Sequence, residues 1–408
     1  MSQDTQPRQF AERLGRLGTE TAYAVSDEAK QLAATGLKIF PYHIGDLNFA
    51  TPEVFVTEMN KAIGERKTGY CPAAGIPELR SALGASIGSA RGVTYGAENV
   101  SIQSGGKPVI WKFLAVTMEV GDEVLYPSPG YPIYESMIRY LGGVPVPYSY
   151  IETEHGFELD LAKIHSLVTD KTSVFIYNNF QNPMGACSSD KEMQDIADFC
   201  IAKNLWVLSD EAYFDIVFDT PSKSIVSLPR MQSRTVILHT FSKSFSMTGW
   251  RLGAAIGPKE VIGHINKLNT NDEACTTHFI QWAGLSLTSS LAKDFIHQTL
   301  LPELKRRRDL IVPLLNKVPG FHAHLPKATF YVFVNVTEAM KMTKKSTLEE
   351  FRKLILSETG VAVCQREHFG QALESDTAFY IRFAYSGISC AQIEESMALL
   401  QEFMKKYQ

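Results

Sequence analysis

Short apolar runs alternate with longer stretches of helical character through the middle of the chain. The apolar runs predict buried strands over residues 99–103, 122–126, 173–178, 205–209, 235–239 and 252–256. The stretches between them predict helices over residues 108–118, 133–141 and 191–203. Because strands that alternate with helices are typical of βαβ units, the pattern predicts an α/β fold with a mostly parallel sheet flanked by helices.

The C-terminal part of the chain follows a different pattern. A charged helix is predicted over residues 300–315, with strands over 330–335 and 379–384 and helices over 347–358 and 391–406. This order predicts a smaller α+β domain built from both termini, since the segment before Pro52 precedes the α/β region. The expected divisions are an N-terminal segment over residues 1–51, a large domain over 52–299 and a small domain over 300–408.

Composition and charge argue against nucleic-acid-binding and membrane proteins. The 408 residues include 40 Lys and Arg against 44 Asp and Glu, a formal charge of −4, so no nucleic-acid partner is expected. No run approaches the roughly 18 apolar residues of a spanning helix, and the polar N-terminus lacks a signal-peptide core, so no membrane association is expected. The six cysteines are widely spaced, which is typical of reduced thiols in a cytoplasmic protein.

Motifs for several common sites are missing from the sequence. It contains no P-loop, no GxGxxG and no HExxH. His322 and His324 form an HxH pair, but no third ligand lies near them in the sequence. No metal site is therefore predicted.

Three charged side chains come after predicted strands and indicate a ligand site. Lys243 comes shortly after the run at 235–239, Arg251 lies eight residues later, and Asp210 comes directly after the run at 205–209. In open parallel sheets, ligands bind beyond the carboxyl ends of the strands. An acid, a lysine and an arginine delivered to that edge are therefore candidates for a shared site.

These residues belong to a longer set of motifs, in which the sequence resembles the class I, aspartate aminotransferase-like branch of the fold-type-I pyridoxal phosphate enzymes. The motifs occupy residues 45–52, 69–70, 75–80, 104–107, 182–185, 209–213, 241–243 and 382–384, in that family's order and spacing. The resemblance covers about residues 42–386. It implies a seven-stranded sheet, pyridoxal 5'-phosphate as cofactor, an amino acid and a 2-oxoacid as substrates, and a homodimer with shared active sites.

The resemblance implies that Lys243, Asp210 and Tyr213 carry the chemistry. Lys243 would hold the cofactor as a Schiff base and, as a neutral amine, move the proton between substrate Cα and cofactor C4′. The carboxylate of Asp210 would keep the pyridine nitrogen protonated, so that the ring can accept electrons. Tyr213 and Asn182 would hold the phenolic oxygen, and Tyr131 would stack on the ring.

Further positions match the family's contacts to phosphate and substrate. The turn at residues 104–107 would offer backbone N–H groups at a helix N-terminus, which favours anions. The implied phosphate ligands are Gly106, Lys107, Thr240, Ser242, Arg251 and, from the neighbouring subunit, Tyr70. The implied substrate ligands are Arg382 for the α-carboxylate, the backbone of Gly45, and Asn182. For a second substrate carboxylate no residue is assigned, and the candidates are Lys112, Arg16 and Arg366.

Single positions also have simpler interpretations. Asp210 could cap a helix, and Asn182 could stabilise a turn, because both residue types favour these places on their own chemistry. Tyr70 could be an ordinary half-buried tyrosine, and Arg382 could pair with a surface acid.

The predicted activity is aminotransfer by a ping-pong mechanism, with glutamate and 2-oxoglutarate as one expected pair. A lyase or oxidase that uses the same lysine, aspartate and arginine is the alternative, since these motifs do not decide the fate of the substrate after Cα deprotonation. A ligand sensor in a transcription regulator is disfavoured, because the family pattern begins by about Tyr42 and leaves no room for a DNA-binding domain before it.

Overall fold

A computed structural model describes residues 10–18, 22–374 and 376–408. The strands, numbered in chain order, are β1 Phe40–Pro41, β2 Val100–Gln103, β3 Glu123–Pro127, β4 Val144–Tyr148, β5 Tyr150–Thr153, β6 Gly156–Leu159, β7 Thr172–Tyr177, β8 Trp206–Asp210, β9 Thr235–Thr240, β10 Gly253–Ile256, β11 His322–Ala323, β12 Tyr331–Asn335, β13 Val361–Ala362, β14 Cys364–Gln365 and β15 Tyr380–Ala384.

The α-helices are α1 Ala22–Ala34, α2 Glu53–Gly64, α3 Pro77–Ala90, α4 Lys107–Thr117, α5 Ile133–Tyr140, α6 Leu161–Ser166, α7 Asp190–Ala202, α8 Phe241–Ser244, α9 Lys259–Asn271, α10 His278–Gly284, α11 Ser290–Asp294, α12 Leu301–Leu315, α13 Thr337–Thr343, α14 Leu348–Thr359 and α15 Cys390–Lys405. A π-helical segment, Phe295–Leu300, joins α11 to α12.

Seven strands form the larger sheet, in the order β2-β10-β9-β8-β7-β3-β4. Only β10 in this sheet runs antiparallel to its neighbours, so the predicted seven-stranded, mostly parallel α/β sheet is confirmed. The edge strand β4 was not predicted. It carries Pro145 and Pro147, and proline lacks the N–H that a central strand would need.

Side chains alternate between the two faces of this sheet. Leu208 of β8 packs in one core with residues of α4, α5 and α9, whereas Val207 packs in another core with residues of α7. This period of two is what a strand covered by helices on both faces requires. The strand ends are thereby held in a rigid layer, and the loops after them have fixed starting points.

A four-stranded antiparallel sheet, ordered β11-β12-β15-β14, forms the second unit. Its core contains residues of α12, α14 and α15 together with Phe40 and Tyr42 from the N-terminal segment. The pairing of β1 with β13 also ties that segment to the C-terminal part of the chain. Both termini therefore contribute to this core, while the domain limits at residues 51 and 299 stay predictions.

Among the described helices, none is both long enough and apolar enough to cross a membrane. The cytoplasmic location stays a prediction.

A buried ion pair connects α3 to the end of β8. Arg91 Nε donates to Glu211 Oε2 at 2.5 Å, and both side chains are buried. Glu211 Oε1 also accepts hydrogen bonds from the hydroxyls of Ser209 and Ser224, and the guanidinium of Arg91 lies 3.7 Å from the ring centre of Phe214. The pair therefore fixes the residue that comes directly after β8.

We expect the Glu211→Gln variant to melt at a lower temperature than the parent chain. The guanidinium of Arg91 stays buried but loses its counter-charge, which costs about 3–5 kcal/mol. Scanning calorimetry measures the shift. The control is Glu395→Gln, which weakens the exposed Lys38–Glu395 pair and should cost less than about 1 kcal/mol. Equal shifts in the two variants would contradict this interpretation.

Candidate active site

The carboxyl edge of the parallel strands opens into a cavity of about 690 Å³. The N-terminal end of β10 reaches the same edge because this strand runs antiparallel to its neighbours. Twelve of the thirteen predicted site residues line the cavity: Gly45, Gly106, Lys107, Tyr131, Asn182, Asp210, Tyr213, Thr240, Ser242, Lys243, Arg251 and Arg382. The thirteenth, Tyr70, lies outside it between α2 and α3, with its side chain 90% exposed.

Asp210 ends β8 with its carboxylate buried in the cavity wall. Its Oδ2 accepts a hydrogen bond from the hydroxyl of Tyr134, and its Oδ1 accepts one from the backbone N–H of Ala212 at 3.1 Å. Burial raises the pKa of Asp210, and the two hydrogen bonds act in the opposite direction. A cationic group in the cavity would stabilise the ionised form of this carboxylate.

The turn between β2 and α4 passes close to Arg251. Gly105 has a φ of +94°, and a Cβ at this position would lie 2.3 Å from Arg251 Nη2, so the turn requires glycine. Arg251 donates from Nη1 to the carbonyl of Thr248 at 2.8 Å and from Nη2 to that of Ser104 at 3.2 Å. Since α4 begins at Lys107, its first N–H groups and the guanidinium together favour an anion.

Lys243 comes after β9 on the short helix α8. The Oγ1 of Thr240 accepts the backbone N–H of Ser242 at 3.2 Å and caps this helix. The Nζ of Lys243 donates to the carbonyl of Gly45 at 2.6 Å and lies 5.6 Å from the ring centre of Phe330. The amine therefore reaches from the larger sheet to the N-terminal segment that carries Gly45.

Arg382 enters the cavity from β15 of the four-stranded sheet. Its Nη1 donates to Asn182 Oδ1 at 3.0 Å and its Nη2 donates to the carbonyl of His43 at 2.8 Å. The rings of Tyr331 and Phe369 lie 4.3 and 4.7 Å from the guanidinium. Within the described residues, Arg382 Nε is buried without a hydrogen-bond acceptor. Burial and, to a smaller extent, Arg382 lower the pKa of His43 to about 4, so this imidazole is neutral near pH 7.

Several residues that the sequence did not single out hold the predicted ones in place. The hydroxyl of Tyr134 donates to Asp210. The hydroxyls of Tyr331 and Tyr213 lie 2.8 Å apart. Asn178 Oδ1 accepts the backbone N–H of Asn182 at 3.1 Å. These contacts restrict the positions of the acid, the tyrosine and the asparagine before any ligand binds.

The three candidates for a second substrate carboxylate lie away from the cavity lining. Lys112 is buried on α4 and pairs with Glu273 at 3.0 Å. Arg366 pairs with Asp376 at 2.9 Å. Arg16 belongs to an exposed 3₁₀ turn. These placements do not support a substrate-binding role for any of them.

The residues that line the cavity fit pyridoxal phosphate. The buried carboxylate of Asp210 suits a protonated ring nitrogen, the amine of Lys243 suits an aldehyde, and the turn at Gly105 leaves the start of α4 open to a phosphate. The unsatisfied Nε of Arg382 can donate to a further carboxylate. The acid, the amine, the phosphate-binding turn and the guanidinium therefore all lie around one cavity.

Comparisons with known proteins point to the same chemistry. The sequence matches the family described as aminotransferase class I and II over residues 39–399. It is 34% identical to a probable aspartate/prephenate aminotransferase of Aquifex aeolicus, over 88% of this chain and 91% of the relative. The solved aspartate aminotransferase of Thermus thermophilus with maleate is 26% identical, with a TM-score of 0.89 over 97% of this chain and 100% of that one. The solved aromatic aminotransferase of Pyrococcus horikoshii is 31% identical, with a TM-score of 0.83 over 89% of this chain and 95% of that one.

We expect the Tyr134→Phe variant to release pyridoxal phosphate at a higher pH than the parent chain when both are acidified. The Tyr134 hydrogen bond lowers the pKa of Asp210, so its loss raises that pKa and the carboxylate is protonated earlier as the pH falls. A neutral acid no longer attracts a cationic ring nitrogen. Absorbance of the bound cofactor along a pH series measures the midpoint.

The matched control is Tyr148→Phe, which removes a buried hydroxyl that donates to the carbonyl of Ile176 at 2.9 Å. Its midpoint should stay at the parent value. A Tyr134→Phe midpoint at or below that of the parent would show that this hydrogen bond does not set the pKa of Asp210.

Proposed function

The chain belongs to the aminotransferase class I and II family, and we propose that it transfers the amino group of an L-amino acid to a 2-oxoacid by a ping-pong mechanism, with glutamate and 2-oxoglutarate as one pair. Aminotransferases of this family depend on pyridoxal phosphate. The main support for the proposal is that Lys243, Asp210 and Arg382 line the same cavity.

When bound, pyridoxal phosphate supplies an electron-accepting ring next to the substrate Cα. Asp210 would hold the proton on the ring nitrogen through charge attraction, and its burial strengthens that attraction. Asn182 and Tyr213 would donate to the phenolic oxygen, and Tyr131 would cover a ring face. The phosphate would lie against Gly106, Lys107, Thr240, Ser242 and Arg251, which offer backbone N–H, hydroxyl and guanidinium donors.

Lys243 would bind the cofactor covalently and then serve as the proton carrier. Its amine is within hydrogen-bond distance of the Gly45 carbonyl, which belongs to the segment that would also contact the substrate carboxylate. A lysine freed by the incoming amino acid can take a proton at Cα and return it on the cofactor side, provided that it is neutral. Because both substrates would use this one cavity, the first product must leave before the second substrate enters, which is the ping-pong order.

Arg382 would bind the α-carboxylate of the substrate. A guanidinium matches a carboxylate with two parallel hydrogen bonds, and Nε is a donor that the surrounding residues leave unsatisfied. Asn182 already accepts from the same guanidinium and so keeps its plane in position. Binding of the α-carboxylate by Arg382 would therefore connect the four-stranded sheet to the larger sheet through the substrate.

We propose aspartate or glutamate as the amino donor, because several relatives carry aspartate in their names. The names of the relatives include aspartate, prephenate and aromatic substrates, and the T. thermophilus protein was solved with maleate, a dicarboxylate.

We also propose a homodimer with shared active sites. Tyr70 is a large aromatic residue with 90% of its side chain exposed, and a second subunit would give it a partner. In the assembly it would donate its hydroxyl to the cofactor phosphate of the neighbouring chain.

The function is tested by the visible spectrum of the purified holoenzyme with single amino acids and then with 2-oxoglutarate. We expect the yellow band of the bound cofactor to fade with aspartate or glutamate and to return with the 2-oxoacid. Lys243→Ala should fold, bind the cofactor weakly and lose turnover, whereas Lys259→Ala, an exposed lysine of α9, should behave as the parent. Ammonia released without an acceptor would instead indicate a lyase or an oxidase, and normal turnover in Lys243→Ala would exclude the lysine's role.

A further inference from the structure

We propose that Glu152, His322 and His324 bind a divalent first-row transition-metal ion at the contact between the β5–β6 hairpin and the four-stranded sheet. One ligand atom from each of the three side chains lies within 4.8 Å of the other two. His324 Nε2 is 2.9 Å from Glu152 Oε1, which is about the separation of two adjacent ligands around an ion held at ~2.1 Å from each. None of the three residues lines the aminotransferase cavity, so this site is separate from it.

The fold brings these residues together although they are far apart in the chain. His322 lies on β11 and His324 directly follows this strand, and the centres of their two rings are 4.7 Å apart. Glu152 lies on β5, 172 residues before His324. Its strand partner Phe157 packs against the ring of His324 at a centroid distance of 5.8 Å, which sets the hairpin on the sheet.

The second oxygen of the Glu152 carboxylate is held by neighbours that are not ligands. Glu152 Oε2 accepts the hydroxyl of Tyr380 at 2.7 Å and the side-chain amide of Asn335 at 3.1 Å. Asn335 pairs with His322 across β11 and β12, and Tyr380 pairs with Asn335 across β12 and β15. This row of three strands therefore orients the carboxylate with Oε1 toward His324. Carboxylates that bind metals are typically fixed by such outer hydrogen bonds.

The donor set and its exposure indicate the class of ion. Two imidazoles and one carboxylate suit Zn²⁺, Ni²⁺ or Cu²⁺, whereas Mg²⁺ and Ca²⁺ prefer oxygen ligands. The Glu152 side chain is 24% exposed, the His324 side chain is 15% exposed, and His322 is exposed. An ion can thus enter from solvent, and water can fill the remaining coordination positions.

Bound metal would link the hairpin to the sheet that carries Arg382. Arg382 lies two residues after Tyr380 on β15, so its side chain projects to the face that holds Glu152. Because the three ligands converge only when the hairpin lies on the sheet, the ion binds the folded chain and not the unfolded one. Metal should therefore stabilise the protein against unfolding.

The test is equilibrium dialysis of the full-length, tag-free holoenzyme against nickel chloride, with the bound nickel counted by mass spectrometry. We expect the parent chain to bind one Ni²⁺ per chain more than His322→Ala does, and nickel to raise the melting temperature of the parent but not that of the variant. His322 is exposed, so its replacement should leave the fold intact. Nickel held by the six free cysteines is common to both proteins and cancels in the comparison.

Two further variants distinguish a preformed metal site from nonspecific binding of nickel to exposed histidines. Tyr380→Phe removes an outer hydrogen bond to Glu152 and should weaken nickel binding about 10–100-fold. His264→Ala removes an exposed histidine of α9 and should bind as the parent does. Equal nickel binding by the parent and His322→Ala, or equal losses in His322→Ala and His264→Ala, would overturn the proposal.

Discussion

The carboxylate of Asp210 occupies the end of a buried parallel strand, with one oxygen bonded to Tyr134 and the other to the backbone N–H of Ala212. Burial makes the ionised form of this acid costly unless a cation lies beside it, and this cost raises the pKa of Asp210. The larger sheet supplies the burial, and α5 supplies the tyrosine. The arrangement therefore favours a ligand with a protonated nitrogen, and this one contact determines the proposed orientation of the cofactor.

The second constraint is the connection between the two sheets. Arg382 belongs to the four-stranded sheet, yet it donates to Asn182, which lies beyond the end of β7 in the larger sheet, and to the carbonyl of His43 in the N-terminal segment. A substrate carboxylate bound at this guanidinium would be held by a side chain that connects all three parts of the chain. The hairpin that carries Glu152 gives a second contact to the same four-stranded sheet, and an ion there would act on the packing of β15 without entering the cavity.

Much of the fold and of the site could be predicted because the signals are local. Buried parallel strands are apolar runs, and Asp210 and Lys243, which lie at or shortly after the ends of such strands, belong to recognisable sequence motifs. Edge strand β4 was missed since Pro145 and Pro147 hide its extended conformation. Tyr331 lies 118 residues from its partner Tyr213, and Glu152 lies 172 residues from His324, so no sequence window contains either pair. Only the packing of the two sheets brings them within reach.

The central claim, that an ionised Asp210 holds the cofactor ring in its electron-accepting form, is tested most directly by a single-turnover measurement on the Asp210→Asn variant. The purified variant would be loaded with pyridoxal phosphate, and the rate at which one amino acid discharges the cofactor band would be compared with that of the parent. The amide keeps the size of the side chain but cannot stabilise a charged ring nitrogen. We predict that the cofactor is retained and that the rate falls by several orders of magnitude. A rate within about tenfold of the parent, a difference of only about 1.4 kcal/mol in the barrier, would contradict the claim.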